Sequence, residues 1–161
     1  MGNRCIHNHS YGECNITKNG DYTEIWNKYY CVNVNRKTHE LGRTIIDPIR
    51  CKYNEKNVSV SHKIYFDYLE RDHDGSYVFN VTFEDTTGLA HTHKFKYHDH
   101  QFVYMDEEMS LYKGEIEPYF HIMKEIYNDY IDDSQRRARK RINMAEGAMI
   151  GFMIGGLSVP S

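Results

Sequence analysis

The sequence predicts an α+β fold in which an antiparallel β-meander packs against one long C-terminal helix. Three successive segments between residues 58 and 105 alternate apolar and polar side chains, the pattern of antiparallel strands that bury one face. Residues 117–131 instead carry apolar side chains at helical spacing. A chain of 161 residues is long enough to bury one core of this kind. We therefore expect a single domain in which the helix covers the sheet.

The first third of the chain carries weaker patterns. Residues 1–21 are polar and indicate an irregular segment, whereas residues 22–35 carry the aromatic and β-branched side chains of a strand or a strand pair. A further short strand is predicted over residues 44–49. We therefore assign residues 1–57 to an irregular N-terminal segment with short strands. This segment belongs to the same domain as the meander and covering helix of residues 58–133.

The alternation in the meander also predicts a register. Asp74-Gly75 is a strong hairpin signal between the first two alternating segments. Apolar side chains must lie opposite one another on the buried face, and this condition fixes which residues pair. The predicted rows of facing residues are His62–Phe83–His91, Ile64–Val81–His93, Phe66–Phe79–Phe95 and Tyr68–Tyr77–Tyr97. In this register Phe79 is buried between Phe66 and Phe95, and a fourth strand follows over residues 100–105.

A long helix is predicted to follow the sheet. It opens at Glu117-Pro118, because proline is tolerated in the first turn of a helix. The apolar stripe that should cover the sheet consists of Phe120, Met123, Ile126, Tyr127, Tyr130 and Ile131. If the helix continues through Arg141, it projects the C-terminal tail away from the domain.

Histidine pairs are the one candidate for chemistry. Six of the ten histidines form three His-x-His pairs, His7/His9, His91/His93 and His98/His100. Alternate residues of a strand share a face about 6.6 Å apart, and two imidazoles at that spacing can bind one metal ion. A carboxylate or His121 could complete a site beside His91 and His93 on the buried face. The competing interpretation is that both are core histidines with hydrogen-bonding partners.

The N-terminal segment holds a second candidate metal site. All four cysteines lie in the first third of the chain, and no two of them form the C-x-x-C pair of a zinc ribbon. Cys5, His7, His9 and Cys14 are suitable zinc ligands by type, but their spacing matches no familiar zinc finger. Two interpretations stay open, a loop tied by zinc and ordinary free thiols.

Residues 134–161 combine a basic run with an apolar, glycine-rich tail. The predicted partner- or membrane-binding residues are Arg136, Arg137, Arg139, Lys140 and Arg141 in the run, and Gly147, Ile150, Gly151, Phe152, Ile154 and Gly155 in the tail. Glycines four residues apart share a helical face, which lets another backbone approach closely. Residues 147–157 would span only about 16 Å as a helix, whereas crossing a membrane takes about 20 apolar residues. The tail is therefore expected to enter a membrane surface, to insert into a protein partner or homo-oligomer, or to be a disordered end.

Charge and composition narrow the class of protein. The net charge of −3 does not indicate a nucleic-acid-binding protein. The polar residues after Met1 do not form a secretory signal peptide, so we expect the cytoplasm or a virus particle. Fourteen tyrosines, with many asparagines, lysines and isoleucines, indicate an AT-rich coding genome, as in many viruses and phages.

These observations favour a non-enzymatic structural or assembly protein, such as a virion or phage component, whose tail inserts into a partner, an oligomer or a membrane surface. The alternative from another class is a metal-dependent enzyme with a His-x-His site. A second alternative comes from residues 137–141 and the glycine-rich apolar stretch that follows. This segment resembles the cleavage site and fusion peptide of class I viral fusion proteins, and the resemblance implies a fragment of such a protein.

Overall fold

The computed structural model describes residues 4–9, 12–48, 63–84, 87–105 and 107–146. These residues form one antiparallel sheet of nine strands and a long C-terminal helix, which confirms the predicted α+β class. Each strand pairs with its neighbours in the sequence, so the sheet is a continuous meander.

The strands are β1 (Arg4–His9), β2 (Gly12–Asn19), β3 (Tyr22–Trp26), β4 (Tyr30–Asn35), β5 (Leu41–Ile46), β6 (Lys63–Arg71), β7 (Tyr77–Glu84), β8 (Ala90–His98) and β9 (Gln101–Tyr104). A short 3-10 helix, Glu108–Tyr112, leads into helix α1, Lys113–Glu146.

The sheet extends further towards the N-terminus than the sequence indicated. Strands β1 and β2 occupy most of residues 1–21, where an irregular segment was expected. In β2, Cys14 is buried and Ile16 packs against the core, at the period of two that a strand requires. The pattern was hard to recognise because these are the only apolar residues in an eight-residue strand.

Residues 22–35, for which a strand or a strand pair was expected, form the pair β3 and β4. Asn27 forms the turn between them, because its side-chain oxygen accepts a hydrogen bond from the backbone N–H of Tyr29 at 2.8 Å. The next strand, β5, covers Leu41–Ile46 and so begins and ends earlier than the predicted strand over residues 44–49.

The predicted register is correct between β7 and β8, where Phe79 lies opposite Phe95. Between β6 and β7 it was wrong by two residues, because Phe79 lies opposite Tyr68 rather than Phe66. A bulge between Tyr68 and Glu70 shifts the pairing near the hairpin. A slip of two residues keeps every side chain on the same face, so the apolar pattern could not distinguish the two registers.

The core lies between the sheet and helix α1. The predicted stripe faces the sheet, with buried Phe120, Met123, Ile126, Tyr127 and Ile131 and half-buried Tyr130. Phe79 is fully buried, as predicted, and its ring centre lies 5.6 Å from that of Phe95. The helix begins at Lys113, four residues before the predicted start, and the added first turn buries Ile116.

Helix α1 crosses the sheet from its β9 edge towards β2. Near its start, the hydroxyl of Tyr104 in β9 donates a hydrogen bond to Glu117. Further along, the hydroxyl of Tyr127 donates to the backbone carbonyl of His39, in the connection between β4 and β5. Arg137, Lys140 and Arg141 then border β2 at Lys18. The helix runs through Arg141, as the sequence suggested, and still lies beside the sheet at its basic run. The predicted direction of the tail concerns residues 147–161, which lie outside the described residues.

Candidate functional site

The apolar face of α1 ends before the helix does. Ile131 is its last buried residue among those whose side chains are described. Every side chain from residue 132 to residue 141 is exposed or only half-buried. All five basic residues of the predicted run are exposed, namely Arg136, Arg137, Arg139, Lys140 and Arg141. We call residues 132–141 the basic helix end.

A pocket lies between the basic helix end and strand β2. Its lining residues are Lys18, Tyr130, Ser134, Arg137, Lys140 and Arg141. Lys18 reaches this position because alternate residues of a strand share a face, and Cys14 and Ile16 of the same strand face the core. Lys18 is therefore the exposed last member of a core-facing row. We call this site the basic pocket.

One carboxylate neutralises part of this surface. Asp133 forms ion pairs with Arg136 at 3.2 Å and with Arg137 at 2.9 Å, and both arginine side chains are more than half exposed. Exposed pairs of this kind contribute about 0–1 kcal/mol each and weaken with salt. Lys18 and Lys140 have no carboxylate partner in the part of the chain that the structure describes. The pocket therefore retains a net positive charge.

The chemistry of the basic pocket is that of a binding site. Guanidinium and ammonium groups donate charge-assisted hydrogen bonds to carboxylate and phosphate oxygens, and the hydroxyls of Tyr130 and Ser134 can donate as well. Among the described lining residues, no carboxylate, imidazole or thiol is available to act as a general base or nucleophile. This arrangement can hold an anion.

The two histidines of the predicted metal site lie in different surroundings on β8. His91 is exposed, although its row belongs to the core side of the sheet. His93 is half-buried, and its ring centre lies 5.6 Å from that of Tyr112 and 6.4 Å from that of Phe83. The alternation of apolar and polar residues thus indicated which face of the sheet the two histidines occupy. It did not indicate how far the helices that cover this face extend. The surroundings of His93 are aromatic.

His121, the expected further ligand, packs against a different part of the sheet. Its ring centre lies 5.6 Å from that of Phe102 on β9. Partial burial, together with the nearby charge of Lys124, lowers the pKa of His121 below its ordinary value. Across the described ranges, no three histidine, cysteine or acidic side chains are grouped as a metal ion would require.

The N-terminal Cys/His set is only partly described. Strand pairing places the backbone of His7 opposite that of Cys14. Cys14 is buried, and burial together with this neighbouring thiol raises the pKa of Tyr30. The side chains of Cys5, His7 and His9 lie outside the described residues. The zinc site therefore stays a prediction.

The glycine-rich tail, residues 147–161, also lies outside the described residues, and with it the predicted binding residues Gly147, Ile150, Gly151, Phe152, Ile154 and Gly155. Within the part of the chain that is described, no helix is both long enough and apolar enough to cross a membrane. Residues 137–141, which resemble a viral cleavage site, form part of helix α1.

Lys18 is the residue of the basic pocket that the sequence did not reveal. A single lysine in a polar segment carries no functional signal, and no basic run surrounds it. Only the pairing of β2 in the sheet and the path of α1 bring it to Arg137 and Arg141. Tyr130 and Ser134 could have been associated with Arg137 from the sequence, because they lie two turns and one turn before it on the helix.

Comparisons of the chain with protein-family models, with curated proteins and with solved structures find no match. Functional inference for this protein therefore depends on its own residues and their geometry.

Proposed function

We propose that the protein is a non-enzymatic structural or assembly component that attaches through its C-terminal end to a protein partner, to other copies of itself or to a membrane surface. The observation that carries the proposal is the division of helix α1. The stretch from Ile116 to Ile131 contributes to the core, and the basic helix end adds no buried residue to it. A helix that continues beyond its own core leaves a surface available to another molecule.

The charges of the basic helix end favour an anionic surface as the point of attachment. Five exposed cations lie within residues 136–141, and only Asp133 is paired with any of them in the described residues. A lysine or arginine beside an anionic lipid surface contributes about 1 kcal/mol to binding. Binding to nucleic acid is not favoured, because the chain as a whole carries a net charge of −3.

The sequence that follows the helix adds an apolar segment that can contribute to the attachment. Residues 147–157 are apolar but include four glycines, and each glycine costs an isolated helix about 1 kcal/mol relative to alanine. We expect such a segment to become ordered by contact with a partner or an interface. Glycines at every fourth position favour close packing against another backbone. The composition of the chain favours a virion or phage component as the setting.

The proposal is tested by comparing the wild type with a chain that ends at Glu146. The core closes before residue 132, so we expect the shortened chain to keep the thermal unfolding curve of the wild type. We also expect it to lose self-association in sedimentation velocity and to lose flotation with acidic vesicles. A wild type that behaves as the same unattached monomer as the shortened chain in both assays would refute the proposal.

A Gly151→Leu variant separates the two ways in which the tail could act. If close backbone packing holds the tail, leucine blocks the approach and the variant should lose attachment as the shortened chain does. If the tail only partitions into lipid, leucine adds apolar area worth about 25 cal/mol per Å² and should strengthen flotation. Thermal unfolding of the variant should match that of the wild type in both cases.

A further inference from the structure

We propose that the basic pocket is a binding site for a phosphomonoester head group of a membrane lipid. This inference rests on the proposed attachment function and names the chemical group that the attachment surface recognises. It differs from a general attraction between the basic run and acidic lipid, because it depends on side chains that the fold brings together from two elements.

The helix contributes most of the pocket from a single face. Tyr130, Ser134, Arg137 and Arg141 follow one another at intervals of four, three and four residues, so they form one stripe along α1. Lys140 flanks this stripe. Arg139 lies about two and a half turns beyond Tyr130, which places it on the opposite side of the helix. The basic run therefore divides into residues that line the pocket and residues that do not.

The sheet contributes the remaining cation. Lys18 is the exposed last member of the row in which Cys14 and Ile16 face the core, and this row brings it alongside the helix face. A linear stretch of basic residues would not need a lysine from a distant strand. The position of Lys18 is thus the feature that distinguishes a pocket from a charged helix.

The charges and donors match a phosphomonoester. Four of the six lining residues are cationic, and among the described side chains only Arg137 of these four shares a carboxylate, that of Asp133. A phosphomonoester carries about −1.5 to −2 charges and three acceptor oxygens. The two arginines offer planar forks of N–H donors, while lysine supplies a compact charge. The hydroxyls of Tyr130 and Ser134 add neutral donors beside the cations.

The position of the pocket favours a lipid as the source of the phosphate. The pocket lies in the last described turns of α1, and the apolar residues of the tail begin directly after Glu146. An apolar segment too short to cross a bilayer can still enter its interface, next to the head groups. A head group at that depth would lie close to the pocket, whereas a free phosphate would gain nothing from the tail.

The test measures binding of the wild-type protein to two kinds of vesicle with matched surface charge. One contains about 10 mol% phosphatidic acid, a phosphomonoester lipid, and the other about 20 mol% phosphatidylserine, whose phosphate is a diester. We expect tighter binding to phosphatidic acid. Lys18→Gln should weaken that binding about fivefold and remove most of the preference.

Two control variants complete the comparison. Arg139→Gln removes a cation of the same run that does not line the pocket, so it should weaken binding to both vesicles alike and keep the preference. Lys94→Gln removes an exposed lysine of β8 and should leave both affinities unchanged. All three variants should unfold at the wild-type temperature, because the substituted side chains are exposed.

Equal binding to the two vesicles, or equal effects of Lys18→Gln and Arg139→Gln, would refute the phosphomonoester site and leave general electrostatic attachment intact. Soluble glycerol phosphate that binds the wild type as tightly as the phosphatidic acid vesicles do would refute the lipid source. A protein that self-associates but binds no vesicle would also refute the site, while the proposed assembly function would remain. Failure of both self-association and vesicle binding would refute the proposed function itself.

Discussion

Phe120 is the side chain through which helix α1 contacts the centre of the sheet. It is fully buried, and five aromatic ring centres lie within 6 Å of its own, those of Phe66, Phe79, Phe95, Tyr97 and Phe102. The nearest, Tyr97, lies at 4.8 Å, and most of the pairs are edge-to-face, a geometry that is favourable beyond simple burial. Replacing Phe120 by alanine should therefore leave a cavity between the helix and strands β6 to β9.

The expected cost follows from these contacts. Truncation of a buried phenylalanine to alanine destabilises a protein by about 3–5 kcal/mol. Phe120 is fully buried and has five ring neighbours, so we expect a value near the upper end. A domain of this size has a total stability of about 5–15 kcal/mol, so this loss would be about a third or more of the total.

Urea unfolding followed by circular dichroism measures this loss directly. Leu89→Ala is the matched control, because Leu89 is 64% exposed and its truncation should change the free energy of unfolding by less than about 0.5 kcal/mol. The slope of the transition should stay near that of the wild type, since the same surface becomes exposed. A loss below about 1 kcal/mol for Phe120→Ala would refute the docking of the helix on the sheet.

Two further predictions concern titratable side chains. Burial, with a contribution from Glu24, raises the pKa of Cys31 from 9.0 to about 11, so at pH 8 this thiol should react with iodoacetamide about 100-fold more slowly than in the unfolded chain. Peptide mass spectrometry measures the rate of this alkylation, and Glu24→Gln should increase it. Equal alkylation rates in folded and unfolded protein would contradict the burial of Cys31. His91→Ala should change the free energy of unfolding by less than about 0.5 kcal/mol, because His91 is exposed. A larger loss in the denaturant titration, matched by a chelator-induced loss in the wild type, would instead support a metal site at His91 and His93.

The apolar pattern predicted the parts of the fold in which local periodicity and tertiary burial agree. Apolar and polar side chains alternate through most of strands β6, β7 and β8. The apolar residues from Phe120 to Ile131 recur at the spacing of a helix. The apolar pattern could not predict a strand register where two candidate registers place every side chain on the same face. The register between β6 and β7 differs from the prediction by two residues, which leaves every side chain on the same face.

The N-terminal strands were missed for a different reason. Strand β2 has one buried residue, Cys14, and its position depends on pairing with β3 rather than on its own sequence. Tertiary context overrides weak local propensity in such strands. The same context creates the basic pocket, because Lys18 becomes informative only when it is placed beside Arg137. The basic run itself was evident from the sequence. Its residues could be divided between two faces of a helix only once the structure showed that α1 extends through the run.

Amide hydrogen exchange of the wild-type protein, free and bound to vesicles or assembled, tests the attachment through the basic helix end most directly. Residues 132–146 follow the last described core contact at Ile131, so their helical hydrogen bonds should open readily in the free protein. On attachment, we expect exchange to slow in residues 132–161 and to stay unchanged in β6, β7 and β8. Slowed exchange confined to the sheet, with residues 132–161 unaffected, would contradict attachment through the C-terminal end.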